Sequence, residues 1–165
     1  MPLLATSLGP CRVINMKTPN HLPLRRRTNG RSTTRANARL ILLLTRDRAF
    51  ENLLTEAVLA TGAGVILVAR TVGDALQIVC TRGRELDFAV IDFDDGCHGM
   101  TLLNALDGCR PKMPVVAVTS SDVYHAAAVA YANGVAACLA KPIGASDLEI
   151  VIRELRNPKL ELEAA

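Results

Sequence analysis

The sequence has few aromatic residues: two Tyr, three Phe and no Trp, together 3% of the 165 residues. Half of the residues are nevertheless apolar, so a core must be built from aliphatic side chains. The length allows one domain of ordinary size and a short appendage, since single domains most often span about 100 to 150 residues. Two full domains are not expected.

Long hydrophobic runs are also missing. No stretch approaches the ~18 uninterrupted apolar residues that a membrane-spanning helix needs, which excludes a membrane span. The five cysteines are an odd number without paired short spacings, so the sequence indicates neither a zinc ribbon nor a disulfide framework. A reducing cytoplasm is the compartment that fits this use of cysteine.

Acidic residues are absent from residues 1–39, which contain eight Lys or Arg. The rest of the chain has eleven Lys or Arg and sixteen Asp or Glu, so the net charge of +3 combines a basic segment with an acidic one. Four prolines interrupt the short apolar runs near the N-terminus. We therefore expect residues 1–38 to be a disordered basic arm.

The basic arm allows several interpretations. Five arginines between residues 25 and 35 could attract the phosphates of a nucleic acid, although no aromatic residue among them offers a stacking surface. The arm could equally be a solvated tail, or an untranslated leader if Met16 rather than Met1 is the start. Its Arg-, Ser- and Thr-rich composition also resembles an organellar transit peptide.

From Arg39 onward, apolar runs of strand length alternate with stretches of helical periodicity. The strand-length runs are continuous, without the in-out alternation of a half-exposed sheet, which indicates a parallel sheet covered on both faces. Five strand-helix units with short loops predict an α/β, doubly wound parallel sheet. The predicted strands are residues 40–44, 65–69, 88–91, 115–118 and 136–139.

Residue types typical of helix ends mark the predicted helices. Asp and Thr favour N-caps because their side chains accept hydrogen bonds from the first backbone N–H groups, and Gly favours helix ends. The last helix is predicted to begin with a capping box of Ser146 and Glu149. The other predicted N-caps are Asp47, Thr71 and Asp122, and the predicted ends are Gly62, Gly83 and Asn133-Gly134.

Residues suited to phosphoryl chemistry stand at the ends of four of the five predicted strands. Ligands of such sheets bind beyond the carboxyl ends of the strands, so these residues are the candidates for a site. An aspartate can attack a phosphoryl group, a hydroxyl can hydrogen-bond a phosphoryl oxygen, and a lysine can neutralise developing charge. The strand ends carry Thr45, Arg46 and Asp47 after the first, Asp92, Asp94 and Asp95 at the third, Thr119 at the fourth and Lys141 after the fifth.

With these residues the sequence resembles the receiver domain of two-component response regulators, over about residues 39–156. Asp92 resembles the phosphoacceptor aspartate of that family, and Thr119 matches the hydroxyl residue that contacts the phosphoryl group. Lys141, followed by Pro142, matches the invariant lysine. The resemblance implies a flavodoxin-like sheet of strand order 2-1-3-4-5 with helices on both faces.

The sequence departs from this family at the metal site. Receivers usually have two adjacent acids at the end of strand one to hold magnesium, and Thr45 and Arg46 stand at those positions. Losing carboxylates and gaining a guanidinium disfavours a dication by several kcal/mol, since each charge pair contributes about 4 kcal/mol at an effective dielectric near 20. We expect no bound metal, although Asp47, Asp94 and Asp95 could supply replacement oxygens for Mg²⁺.

Arg46 could take over the role of the metal in one of two ways. We expect it to pair with Asp92 and orient its carboxylate, which would make the chain a pseudo-receiver fixed in one state. Alternatively, Arg46 and Lys141 could together bind a phosphoryl group or a free anion without a metal.

The predicted function is that of a stand-alone receiver domain in a phosphorelay, with a degenerate metal site and signalling that need not depend on phosphorylation. Residues 157–165 form only a short C-terminal tail, so the domain would act by protein contact and not as an enzyme. The expected partners are a histidine kinase or phosphotransfer protein and a downstream signalling protein. The alternative is a nucleic-acid- or polyanion-binding adaptor that uses the basic arm.

Overall fold

The computed structural model describes residues 39–94, 98–120, 129–130 and 132–157. The predicted basic arm lies outside this part of the chain, as do Asp95, the predicted helix start at Asp122 and residues 158–165. Ten elements are described. They are β1 (Leu40–Leu44), α1 (Arg48–Thr61), β2 (Val65–Ala69), α2 (Val72–Arg82), a 3-10 turn (Gly83–Glu85), β3 (Leu86–Asp92), α3 (Gly99–Cys109), β4 (Val115–Thr119), β5 (Ala137–Ala140) and α4 (Ala145–Arg156).

The strands form one parallel sheet in the order β2-β1-β3-β4-β5, which confirms the predicted doubly wound topology. β1 and β4 are buried at every position, as their continuous apolar sequences predict. Residues 129–130 and 132 are also helical and precede β5. β3 begins two residues earlier than predicted, at Leu86, and β5 begins one residue later, at Ala137.

The sheet separates two aliphatic cores, because alternate residues of each strand point to opposite faces. On one face, the strands pack against α2 and α3, through residues such as Ala75 and Leu102. On the other face, they pack against α1 and α4, through residues such as Leu54 and Ile152. No described helix is long and apolar enough to cross a membrane.

The ends of α1 and α2 show which capping predictions hold. Asp47 accepts hydrogen bonds from the first turn of α1, and Gly62 ends that helix in the left-handed conformation at φ 60°. Thr71 caps α2 in a reciprocal pair with Asp74. Gly83 ends α2 as predicted, with right-handed φ and ψ, and it is the first residue of the 3-10 turn.

The predicted capping box of the last helix is wrong. α4 begins after Gly144, whose backbone N–H donates to Asp147 Oδ2 at 3.3 Å, so the pair lies two residues before Ser146 and Glu149. Asp147 is equally suited to this position, and the earlier start adds two residues to the helix before the buried Leu148. Ser146 and Glu149 then fall within the helix.

Gly64 fills a position in the turn before β2 that only glycine tolerates. Its φ is +145°, and a Cβ there would overlap the carbonyl oxygen of Arg39. The same carbonyl accepts a hydrogen bond of 2.9 Å from the Val65 N–H, which holds the start of β2 against β1. Residues 39 and 64 can therefore approach this closely only because Gly64 has no side chain.

Candidate functional site

The carboxyl ends of four strands meet at one edge of the sheet. Asp92 is the last residue of β3 and Thr119 the last of β4, and the register pairs Asp92 with Val118. Thr45 directly follows β1, and Lys141 directly follows β5. The structure therefore brings together the acid, hydroxyl and lysine that the strand-end pattern singled out.

The Asp92 carboxylate is completely buried and is held by three donors. Its Oδ2 accepts from the Thr45 hydroxyl at 2.9 Å and from Lys141 Nζ at 2.8 Å. Its Oδ1 accepts from the Asp94 backbone N–H at 3.1 Å. Both oxygens are thus fixed in direction, which is necessary for a charged group without contact to water.

Thr45 turns the altered end of β1 into a hydrogen-bond donor for Asp92. The side chain is fully buried, and its oxygen also accepts from the Asp47 backbone N–H at 3.0 Å. A carboxylate here would face Asp92 with like charge, whereas the hydroxyl donates to it. This role was not predicted from the sequence, which marked Thr45 only as a position that had lost an acid.

The predicted ion pair between Arg46 and Asp92 is wrong. The Nε of Arg46 donates to the backbone carbonyl of Arg70 at 3.2 Å, and Arg46 is an exposed residue. Lys141 is the cation that contacts Asp92. The physical reason is that Arg46 lies beside the carboxyl end of β2, where the Arg70 carbonyl accepts its guanidinium in contact with water.

Lys141 lies at the centre of a cluster of three aspartates. Its Nζ is 2.8 Å from Asp92 Oδ2, 3.5 Å from Asp47 Oδ2 and 3.6 Å from Asp94 Oδ2. It also lies 5.6 Å from the centroid of the Phe50 ring, a favourable position for a cation. Burial lowers the pKa of Lys141, but the hydrogen bond that Lys141 donates to Asp92 and the three negative charges outweigh burial and raise it.

Asp94 connects the end of β3 to the end of β4. Its Oδ1 accepts from the Thr119 hydroxyl at 3.0 Å, and its Oδ2 accepts from the Ser120 backbone N–H at 2.6 Å. Burial raises the pKa of Asp94, but the hydrogen bonds from Ser120 and Thr119, together with the charge of Lys141, lower it below its ordinary value. Asp94 is therefore an anion at neutral pH.

Asp47 combines a structural role with a place at the site. Its Oδ1 accepts from the backbone N–H groups of Ala49 and Phe50, at 2.9 and 3.2 Å, and so caps α1. The bond from Phe50 is the main reason that its pKa is lowered, and Lys141 contributes further. Of the three predicted auxiliary acids, Asp47 and Asp94 lie at the site and Asp95 lies outside the described residues.

The donor chemistry of the described residues does not fit a magnesium ion. Magnesium needs near-octahedral oxygen ligands, but the three carboxylates surround an ammonium, and Arg46 stands where a second acid would be required. Within the described ranges, no group of three or more His, Cys, Asp or Glu side chains could hold a metal ion. The absence of a metal from the working protein stays a prediction.

Acid should destabilise this cluster. Because the folded pKa values of Asp47 and Asp94 are lowered, the unfolded chain binds more protons as the pH falls, and stability is lost as the pH falls through the ordinary aspartate pKa of 3.8 and then through the lowered folded values. Urea unfolding at several pH values measures the loss. Asp94→Asn should flatten the decline, and an equally steep decline in this variant would contradict the assignment to Asp94.

The parallel sheet, with an acid, a hydroxyl and a lysine at its carboxyl edge, defines an α/β domain of the receiver type. A family model described as the response regulator receiver domain matches residues 41–153, so the chain belongs to this family of two-component signalling domains. The curated proteins searched contain no match to the chain.

Solved structures share the fold at low sequence identity. The response regulator receiver domain protein from Clostridium thermocellum is 24% identical with a TM-score of 0.66, over 75% of this chain and 98% of that chain. A CheY-like receiver domain protein from Methanospirillum hungatei JF-1 is 22% identical with a TM-score of 0.63, over 75% and 98%. The receiver domain of the Francisella response regulator 1452 is 21% identical with a TM-score of 0.64, over 73% and 98%.

Proposed function

We propose that this receiver domain signals without a bound magnesium ion and without phosphorylation of Asp92. The observation that carries the proposal is the position of Lys141, whose ammonium lies within 3.6 Å of all three site carboxylates. The domain is then a pseudo-receiver, held in one state by an internal cation. The loss of acids at Thr45 and Arg46 supports the same conclusion.

Electrostatics make a metal an unfavourable addition to this cluster. A dication that approached the three carboxylates would also approach Lys141. Each pair of unit charges about 4 Å apart contributes about 4 kcal/mol at an effective dielectric near 20, so the ammonium offsets a large part of the attraction by the carboxylates. Displacing the ammonium instead would leave the completely buried Asp92 without its main partner. Binding a metal beside Lys141 and binding one in place of Lys141 both cost free energy. An acid at residue 46 would offset this cost by attracting the metal, but Arg46 stands there.

The domain acts within a phosphorelay by protein contact and not as an enzyme. Its family supports a histidine kinase or phosphotransfer protein as a binding partner on the input side, without phosphoryl transfer to Asp92, and a signalling protein on the output side. We place it in the cytoplasm, where such partners occur. Binding of nucleic acid through the basic arm stays a prediction, because residues 1–38 lie outside the described part of the chain.

Two measurements test the proposal. We expect no phosphoryl adduct by intact-mass measurement after incubation with acetyl phosphate, with or without Mg²⁺. We also expect no saturable Mg²⁺ binding at millimolar concentration by calorimetry. The physical reason is that Lys141 contacts the Asp92 carboxylate and that no acid stands at residues 45 and 46 after β1.

A matched variant makes these negative results informative. Arg46→Asp restores an acid at the end of β1 and should gain measurable Mg²⁺ affinity, while Arg48→Asp, which adds the same charge at an exposed position of α1, should not. Saturable Mg²⁺ binding by the unaltered protein that is lost in Asp92→Asn would refute the proposal. A phosphoryl adduct that is lost in Asp92→Asn would refute it as well.

A further inference from the structure

Two hydrogen-bond donors and one ammonium, from the ends of β4 and β5, converge on the carboxylate of Asp94. The Thr119 hydroxyl at the end of β4 donates to Oδ1 at 3.0 Å, and the next backbone N–H, that of Ser120, donates to Oδ2 at 2.6 Å. Lys141 Nζ, which follows β5, lies 3.6 Å from Oδ2. The donors stand at the ends of β4 and β5, which lie on the other side of β3 from β1. They come together at the carboxyl edge of the sheet.

A hydroxyl, a backbone N–H and an ammonium are also the groups that bind the oxygens of a phosphoryl group or a free oxyanion. Each of them is aimed at a negatively charged oxygen, and the two oxygens of Asp94 provide the anionic acceptors. Asp94 is itself only 18% exposed at its side chain and has a lowered pKa, so it remains charged inside this set of donors.

The loop geometry fixes Asp94 in this position. Its own backbone N–H donates to Asp92 Oδ1 at 3.1 Å, so the residue two positions after Asp92 is drawn back toward the site. The side chain then extends from the end of β3 to the end of β4. The carboxylate is therefore a ligand attached to the chain, and no solute has to bind for the donors to be satisfied.

We propose that Asp94 is a tethered anionic ligand of an oxyanion pocket formed by Thr119, the Ser120 N–H and Lys141. The pocket that would receive a phosphoryl group on Asp92 is already filled by the neighbouring carboxylate. The pocket accepts an external oxyanion such as inorganic phosphate only when the charge of Asp94 is removed. This inference rests on the proposed function, because it explains how the site is kept in one state without phosphorylation.

Charge repulsion prevents inorganic phosphate and the Asp94 carboxylate from occupying the pocket together. A phosphate that reached the same donors would lie within about 4 Å of Asp94, where each pair of negative charges costs about 4 kcal/mol at an effective dielectric near 20. It would also compete for a hydroxyl and an N–H that are already engaged. Removing the Asp94 carboxylate removes its repulsion of phosphate and frees the Thr119 hydroxyl and the Ser120 N–H.

The test compares Asp94→Ala with the unaltered protein by two-dimensional NMR of ¹⁵N-labelled samples. Asp87→Ala is the matched control, since it removes one charge from the opposite end of β3, where Asp87 pairs with Arg39 at 3.0 Å. We expect the Ser120 amide proton to lie far downfield in the unaltered protein and in Asp87→Ala. It should move upfield in Asp94→Ala, because its carboxylate acceptor is gone.

Titration with inorganic phosphate gives the second readout. In Asp94→Ala, the amide signals of Thr119 and Ser120 should shift saturably, with an affinity at least tenfold above that of the unaltered protein and of Asp87→Ala. If Asp94→Ala fails to fold, Asp94→Asn keeps the shape of the side chain without its charge and should show the same gain.

Several outcomes would overturn the inference. One is a Ser120 amide proton with the same chemical shift in the presence and absence of the Asp94 carboxylate. Others are equal phosphate affinity in all variants, or folded Asp94 variants that bind no phosphate. Saturable Mg²⁺ binding by the unaltered protein, with the Asp94 variants behaving as expected, would refute the proposed function alone, whereas a phosphoryl adduct on the unaltered protein would contradict both. The two failures can therefore be told apart.

Discussion

Replacing Lys141 by Met is expected to lower the free energy of unfolding by about 3–5 kcal/mol, the usual cost of removing one partner from a buried ion pair. Methionine keeps most of the side-chain volume and its contact with Phe50, so the loss reports the charge. Asp92 would be left completely buried with one hydroxyl and one backbone N–H as donors. Urea unfolding followed by circular dichroism gives the value.

The double variant Lys141→Met/Asp92→Asn is the control for this result. Because neutral Asn removes the unpaired charge, the double variant should be more stable than Lys141→Met alone, and the two changes should be strongly non-additive. A loss of less than about 1 kcal/mol for Lys141→Met would mean that the pair behaves like a surface salt bridge. That result would contradict the conclusion that the ion pair between Lys141 and Asp92 stabilises the site.

Replacing Gly64 by Ala is expected to cost at least about 2 kcal/mol, since side chains at strongly positive φ cost about 1–3 kcal/mol before any clash. Here the φ is +145°, and the new Cβ would also overlap the Arg39 carbonyl oxygen. Relief of the overlap requires β2 to move away from β1, which weakens the hydrogen bond from Val65. The free energy of unfolding in urea measures this loss.

Gly108 offers a control with the opposite expected sign. It lies in α3, is exposed, and has open space where a Cβ would be added. Gly108→Ala should therefore raise stability by about 0.5–1 kcal/mol, the difference in helix propensity between the two residues. Equal effects of the two substitutions would show that the turn before β2 does not constrain the backbone.

The sequence allowed the fold and the main site residues to be predicted because both depend on local patterns. Every strand contains a continuous apolar run of at least four residues, and Asp92, Thr119 and Lys141 each directly follow such a run. Once the sheet is parallel, these ends must share an edge. No detail of side-chain geometry was needed for this step.

The interactions within the site could not be predicted in the same way. Arg46 has a long side chain, and its hydrogen bond to the Arg70 carbonyl depends on where β2 ends in space. The Ser120 N–H carries no mark in the sequence, since every residue except proline has one. The position of Asp94, two residues after Asp92 in the same loop, was the one available sign that it could reach the site.

The hydrogen bonds of the site also constrain how the chain can fold. Asp92 is 47 residues from Thr45 and 49 residues from Lys141 along the sequence, yet it contacts both. Contacts of such separation form only after long loops have closed, and proteins rich in them fold slowly. We therefore expect the site to assemble late, after β1, β3 and β5 have found their register. Its parts come from both ends and the middle of the domain, so a fragment that lacks any one of these strands lacks part of the site.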